Sequence, residues 1–157
     1  MAVGTFSRAG NSAAVAVTGG GILAELSAGT AARARVREIG VFMNSAAGGA
    51  VTVAVGKPGN TPTTGTANLG IAEDQADTQA ATSSLITAGW GTAPTVPTVI
   101  YRQIVLPATI GAGVIWQFNP GEELALGLTR DKGIVIWATA QTIAASQTCS
   151  IHVKWLE

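Results

Sequence analysis

The chain has 157 residues, the size of one domain, with nine Lys and Arg against nine Asp and Glu and one His. Charged residues make up 11%, where about 25% is ordinary. A formal net charge of zero excludes a general pull toward nucleic acid or an acidic bilayer, and 47% apolar content excludes disorder.

So charge-poor a surface predicts that part of it faces other protein. The opening MAVGTFSRAGN lacks a long apolar core, so no signal peptide is expected. No apolar run reaches the ~20 residues of a membrane helix. Cys149 is the only cysteine and cannot form an intrachain disulfide; it is expected as a small buried side chain.

In chain order, residues 11–18 alternate weakly and read as a strand, and residues 21–26, GILAEL, as a second. Ala32 to Met43 is a long extended run, Asn44 to Gly49 a turn, and residues 50–55 the returning strand, the pair reading as a hairpin with a generous loop. Residues 56–70 are rich in Gly, Pro and Thr and form a long loop. Residues 73–88 are the one plausible helix, with an acidic start that suits a helix N-terminus. Gly89 to Thr98 is a second loop. Strands follow at 99–106 and 112–118, with Asn119-Pro120-Gly121 as a turn. Glu123 to Leu128 alternates, with Leu124, Leu126 and Leu128 on one face, and Thr129 to Gly133 turns back into 134–139. The run 148–156 places Cys149, Ile151, Val153 and Trp155 on one side and Ser150, His152, Lys154 and Leu156 on the other. About eight strands without helical crossovers exclude a parallel sheet and leave two packed antiparallel sheets or a closed barrel.

Little here carries chemistry. His152 stands alone, with no nucleophile motif to serve. His and Cys are too few for a zinc site, and Glu73, Asp74 and Asp77 match no calcium-loop spacing. Glu122 and Glu123 are adjacent on a strand and point to opposite faces, so they cannot flank one bond. Gly19 to Gly21 opens no phosphate-binding motif and reads as a turn. No catalytic residue, metal or cofactor is therefore expected. Trp116, Trp137 and Trp155 read as core or interface anchors. Trp90, in a loop, covers its own domain, stacks on a sugar, or plugs a neighbour.

Arg33, Arg35 and Arg37 share one face of a regular strand, which then continues as Ile39, Val41 and Met43. Two readings fit: a solvated strand end entering the core, or a ladder of intersubunit ion pairs met by Glu25 or Glu122 of a neighbour. No further basic patch supports nucleic-acid binding.

Trp116 to Leu128 (WQFNPGEELALGL), Gly133 to Ala138 (GIVIWA) and Ser150 to Glu157 (SIHVKWLE) together resemble the jelly-roll structural proteins of tailed-bacteriophage virions. The resemblance covers roughly residues 98–157 and implies an all-β, antiparallel sandwich of jelly-roll type spanning 1–157. It implies a non-enzymatic protein of the capsid surface that decorates or cements a head by packing between or over major capsid protein subunits. It also implies a homo-oligomer, a trimer being favoured, with no nucleic-acid or membrane partner. In a ring each chain shows different patches to its two neighbours. The contact candidates are Arg33, Arg35, Arg37, Trp90, Tyr101 and His152, and residues 1–20 are expected as an arm reaching a neighbour or the capsid. The alternative is a carbohydrate-binding or tail- or fibre-associated sandwich module, with Trp90 or Tyr101 open over a groove.

Overall fold

The computed structural model describes residues 4–13, 15–16, 20–45, 49–63, 65, 67–139 and 146–157. Eight long strands dominate: β1 (Thr5–Asn11), β2 (Gly21–Ser27), β3 (Arg35–Met43), β4 (Val51–Lys57), β5 (Val99–Leu106), β6 (Gly113–Gln117), β7 (Ile134–Thr139) and β8 (Cys149–Leu156). They pair as a ribbon rolled up on itself: β1 with β8, β2 with β7, β3 with β6, and β4 with β5, all antiparallel. That is the jelly-roll order of two interleaved Greek keys. The expected all-β antiparallel sandwich of this type is what forms.

One sheet runs β6, β3, β8, β1 and ends on the short strand Ile71–Ala72, with Leu124–Ala125 added to β3. The other runs from Asn68–Leu69 through Ser84–Ile86, β2, β7 and β4 to β5. The sandwich therefore has two opposite edges, one made by β5 and β6 and the other by the short strands at 68–72.

Between the sheets lie Phe6, Leu23, Leu26, Ile39, Val41, Val53, Ile136, Ile151, Val153 and Trp155, all essentially without solvent contact. β8 alternates as expected, and burial pushes the Cys149 thiol up to about 11. The outer face of the second sheet is also covered. Ala54, Ile86, Val135 and Trp137 are buried there, opposite in parity to the core-facing Val53, Val55 and Ile136. The two long loops form that cover and are tied together, with Asn60 Nδ2 donating to the Ala93 carbonyl at 3.0 Å and the Thr95 N–H to Asn60 Oδ1 at 2.9 Å.

Five expectations need correction. Residues 32–43 and 50–55 form no hairpin: β3 pairs with β6 and β8 in one sheet and β4 with β5 and β7 in the other, so the chain crosses from sheet to sheet between them. Residues 5–11 are not an arm: β1 is a full partner of β8, and Phe6 is in the core. Residues 15–16 pair with 146–147 of the same chain, and residues 1–3, 14 and 17–19 lie outside the described residues. Residues 73–88 contain no helix. Asp74 Oδ1 accepts from the Ala76 N–H at 2.9 Å and Asp77 Oδ1 from Gln79 at 2.8 Å, so the acidic side chains build turns instead of a helix start. The strand expected over 123–128 is only Leu124–Ala125, and Leu128 is exposed where Leu126 is buried.

The arginine parity also breaks. Lys154 pairs with Glu38 but Trp155 with Val36, so Arg37 is an extra, bulged residue. Beyond the bulge Val36, Ile39, Val41 and Met43 face the core, and Arg35 and Glu38 do not.

Gly70 lets the buried Trp155 ring approach the backbone before Ile71; a Cβ there would overlap Trp155 and crowd Ala81. Gly70→Ala is expected to cost about 1–3 kcal/mol in urea unfolding, the usual penalty of overpacking. Gly10→Ala, whose nearest neighbour would be the Thr87 methyl at 3.4 Å, should cost far less.

Candidate functional site

An edge strand that carries apolar side chains on both faces is the most unusual feature of this fold. Seven of the eight residues of β5 are exposed, and only Leu106 is buried. Its register with β4 aims Arg102 and Ile104 toward the core, beside Val55 and Val53, yet Ile104 is 38% exposed. Val105, on the outer side, is 59% exposed. Across the gap β6 alternates between exposed and half-buried residues, with Ile115 51% exposed and Trp116 half-covered. Ile110, in the turn joining β5 to β6, is exposed too. Val114 and Trp116 of β6 pack partly against the core, and the Arg102 guanidinium lies 5.3 Å above the Phe118 ring, where cation–π attraction holds it.

At one end of this edge lies a cavity of about 590 Å³. Leu124, Leu126 and Ile134 line it, and Arg33, Lys57 and Tyr101 stand at it. Glu123 also borders it but is held by Arg37 at 3.0 Å. Its carboxyl lies below the usual range, chiefly through backbone hydrogen bonds, its own N–H first and Gly121 next, and then through Arg37. Arg35 adds a weaker attraction to the same Glu123 carboxylate. Arg37 is paired within the chain, while Arg33 and Arg35 are exposed with no ion pair among the described residues.

Of the other contact candidates, Tyr101 is 37% exposed beside the cavity, on the β5 edge. Trp90 is half-buried, and its Nε1 donates to Glu25 Oε2 at 2.9 Å. Glu25 is not available to a neighbouring subunit. It is fully buried on β2, with Arg130 3.6 Å away, and burial raises its carboxyl above the ordinary value. Glu122 is exposed and accepts from Asn119 Nδ2 at 3.0 Å. His152 lies on the outer face of the first sheet, stacked on Phe42, with Nε2 donating to Glu38 Oε1 at 2.8 Å. Gln117 Nε2 donates to the other oxygen at 3.0 Å, and these two donors hold the Glu38 carboxyl below its usual range. The structure therefore brings Arg33 and Tyr101 together at one cavity, and Trp90 and His152 elsewhere. Lys57 was not singled out from sequence. It is the last residue of β4, and only the β4–β5 register places it at the cavity.

Two pH-dependent outcomes follow from the signs of these shifts. Ionised Glu38 stabilises the folded chain fully above its ordinary value of 4.5, and that contribution is lost as pH falls through the lower folded value. Glu38→Gln should therefore flatten the acid side of a stability-versus-pH curve below that point. Glu25 has the opposite sign: its contribution is full below 4.5 and is lost as pH rises through the raised folded value. Trp90→Phe removes a donor from that buried carboxylate. It should cost about 1–3 kcal/mol at neutral pH in chemical unfolding, with the deficit shrinking in acid.

No family model matches the chain, and no curated protein matches it. Among solved structures it is similar to a chain of the cyanophage Pam1 capsid asymmetric unit, at 14% identity over 98% of this chain and 84% of that one, with a TM-score of 0.33. At that score the fold is read from the strand pairing itself.

Proposed function

We propose that this chain is a non-enzymatic virion structural protein that decorates or stabilises a phage capsid, docking through its β5–β6 edge between or over major capsid protein subunits. The observation that supports it most is the exposure of β5. A long edge strand with Val99, Ile100, Ile104 and Val105 open to water is an association site in any protein that leaves it uncovered. Natural edges are blunted by charge, proline or brevity, and β5 has eight residues with Arg102 as its one charge, drawn inward over Phe118. The jelly-roll strand order agrees with the virion proteins that residues 98–157 resemble. The partners on this reading are the major capsid protein and further copies of the chain, and the place is the capsid surface.

The test uses two residues that carry no core packing. Val105→Lys with Ile115→Lys should leave thermal unfolding nearly unchanged and reduce co-sedimentation with heads of the source phage by about 10- to 100-fold. Undiminished attachment by a folded variant would overturn the reading. The carbohydrate-binding alternative has one observation in its favour, the exposed Tyr101 beside the cavity. Glycan-array binding lost in Tyr101→Ala, with no binding to heads, would move the function there.

A further inference from the structure

The charges that remain unpaired are divided between the two edges of the sandwich. Five ion pairs account for Glu25, Glu38, Glu73, Glu123 and Asp131. The Glu157 carboxylate is buried, accepting from the Thr82 and Ser83 N–H groups at 2.7 Å each. Of the cations that make no ion pair among the described residues, Arg33 and Lys57 stand at the cavity, Arg102 is on β5, and Arg35 lies beside Leu124–Ala125, which leads into the cavity lining. Asp74 and Asp77 lie at the other edge, in the turn that follows Ile71–Ala72. That turn presents Glu73, Asp74, Gln75 and Ala76 to solvent, and Leu69 and Ile71 beside it are exposed at 53% and 61%. Two charges fall outside the division. Arg8 is half-buried near the acidic edge and donates to Asn68 Oδ1, and Glu122 lies exposed near the basic one.

Each edge thus offers what the other lacks. One is apolar with an acidic turn that projects, and the other is apolar with a recess flanked by Arg33 and Lys57. The recess, at about 590 Å³, is large enough for a short turn and is floored by Leu124, Leu126 and Ile134, so it suits a segment with both charged and apolar parts. Resting on the assembly role proposed above, we infer that the acidic turn Glu73–Asp77 of one copy docks into the Arg33–Lys57 cavity of a second copy, head to tail. Such a contact is heterologous, so the copies form a ring if the rotation closes and a filament if it does not. Leu69 and Ile71 then meet Val99 and Ile100 at the cavity end of β5, which leaves Val105 and Ile115, farther along the same edge, for the capsid contact.

A charge exchange tests this contact. Arg33→Glu with Lys57→Glu makes both edges acidic, and Asp74→Lys with Asp77→Lys makes both basic. Measured by sedimentation equilibrium, each variant alone should self-associate about tenfold more weakly than the wild type, and the equimolar mixture should recover association. Wild-type association should itself weaken with added salt. Asp74→Asn with Asp77→Asn keeps the acceptors of both turns and removes the charge. It should weaken association at an unchanged unfolding temperature, which separates loss of contact from loss of fold. Wild-type mass retained by either reversal, or a mixture that fails to recover, overturns the contact. So does a wild type that stays monomeric at millimolar concentration. None of these results touches the capsid reading, which depends on binding of the Val105 and Ile115 variant to heads.

Discussion

The pairing of β3 with β8 is the interaction on which the rest depends. It joins Arg35–Met43 to Cys149–Leu156 along the middle of one sheet and carries Trp155, Ile151, Val41 and Ile39 into the core. Every other strand of that sheet is placed from it, β1 against β8 and β6 against β3. Its irregularity matters as much as its length. The extra residue at Arg37 reverses the facing of all that precedes it, so Val36 enters the core and Arg35 leaves it. A regular strand would have sent either the arginines or the valines and isoleucine to the wrong side.

Much of the architecture was legible in the residues. Alternation in 148–156, with Cys149, Ile151, Val153 and Trp155 inward, identified β8, because a half-buried strand imposes period two. The Asn-Pro-Gly turn and the polar run 129–133 bounded their elements for equally local reasons. β1 escaped notice because Thr5–Asn11 has Phe6 as its one large apolar residue, and its place in the sheet comes from hydrogen bonding to β8 at the far end of the chain. The bulge at Arg37 is set by pairing across more than a hundred residues, so no local pattern announces it. Residues 73–88 failed for a different reason. Acidic residues suit a helix start and a hydrogen-bonded turn equally, and only the following Ser84–Ile86, captured by β2, decides between them.

The interaction surface was half legible. Low charge pointed to a surface that meets protein, and Arg33 and Tyr101 were among the candidates. What could not be read was which charges would be used inside the fold. Glu25 looked like an exposed acid one strand away from the arginines, yet it lies beneath Trp90 and beside Arg130 in the layer that the loops build over the second sheet. With so few ionisable groups in the chain, each internal pairing changes what the outside carries. The charge pattern of the surface is what remains after the core and loops have taken their share.

The rolled ribbon has a kinetic side. The first long strand needs the last, the second needs the seventh, and the only consecutive long strands that pair are β4 and β5, with a long excursion between them. Almost nothing stable can form from neighbouring segments alone, so acquisition of structure waits on closure of large loops and belongs to the slow, millisecond-to-second class. On the ribosome, β1 must remain without its long partner, and β3 without one of its two, until β8 has emerged. During that interval the apolar strands are open to one another across nascent chains, and a holding chaperone raises the yield of native protein.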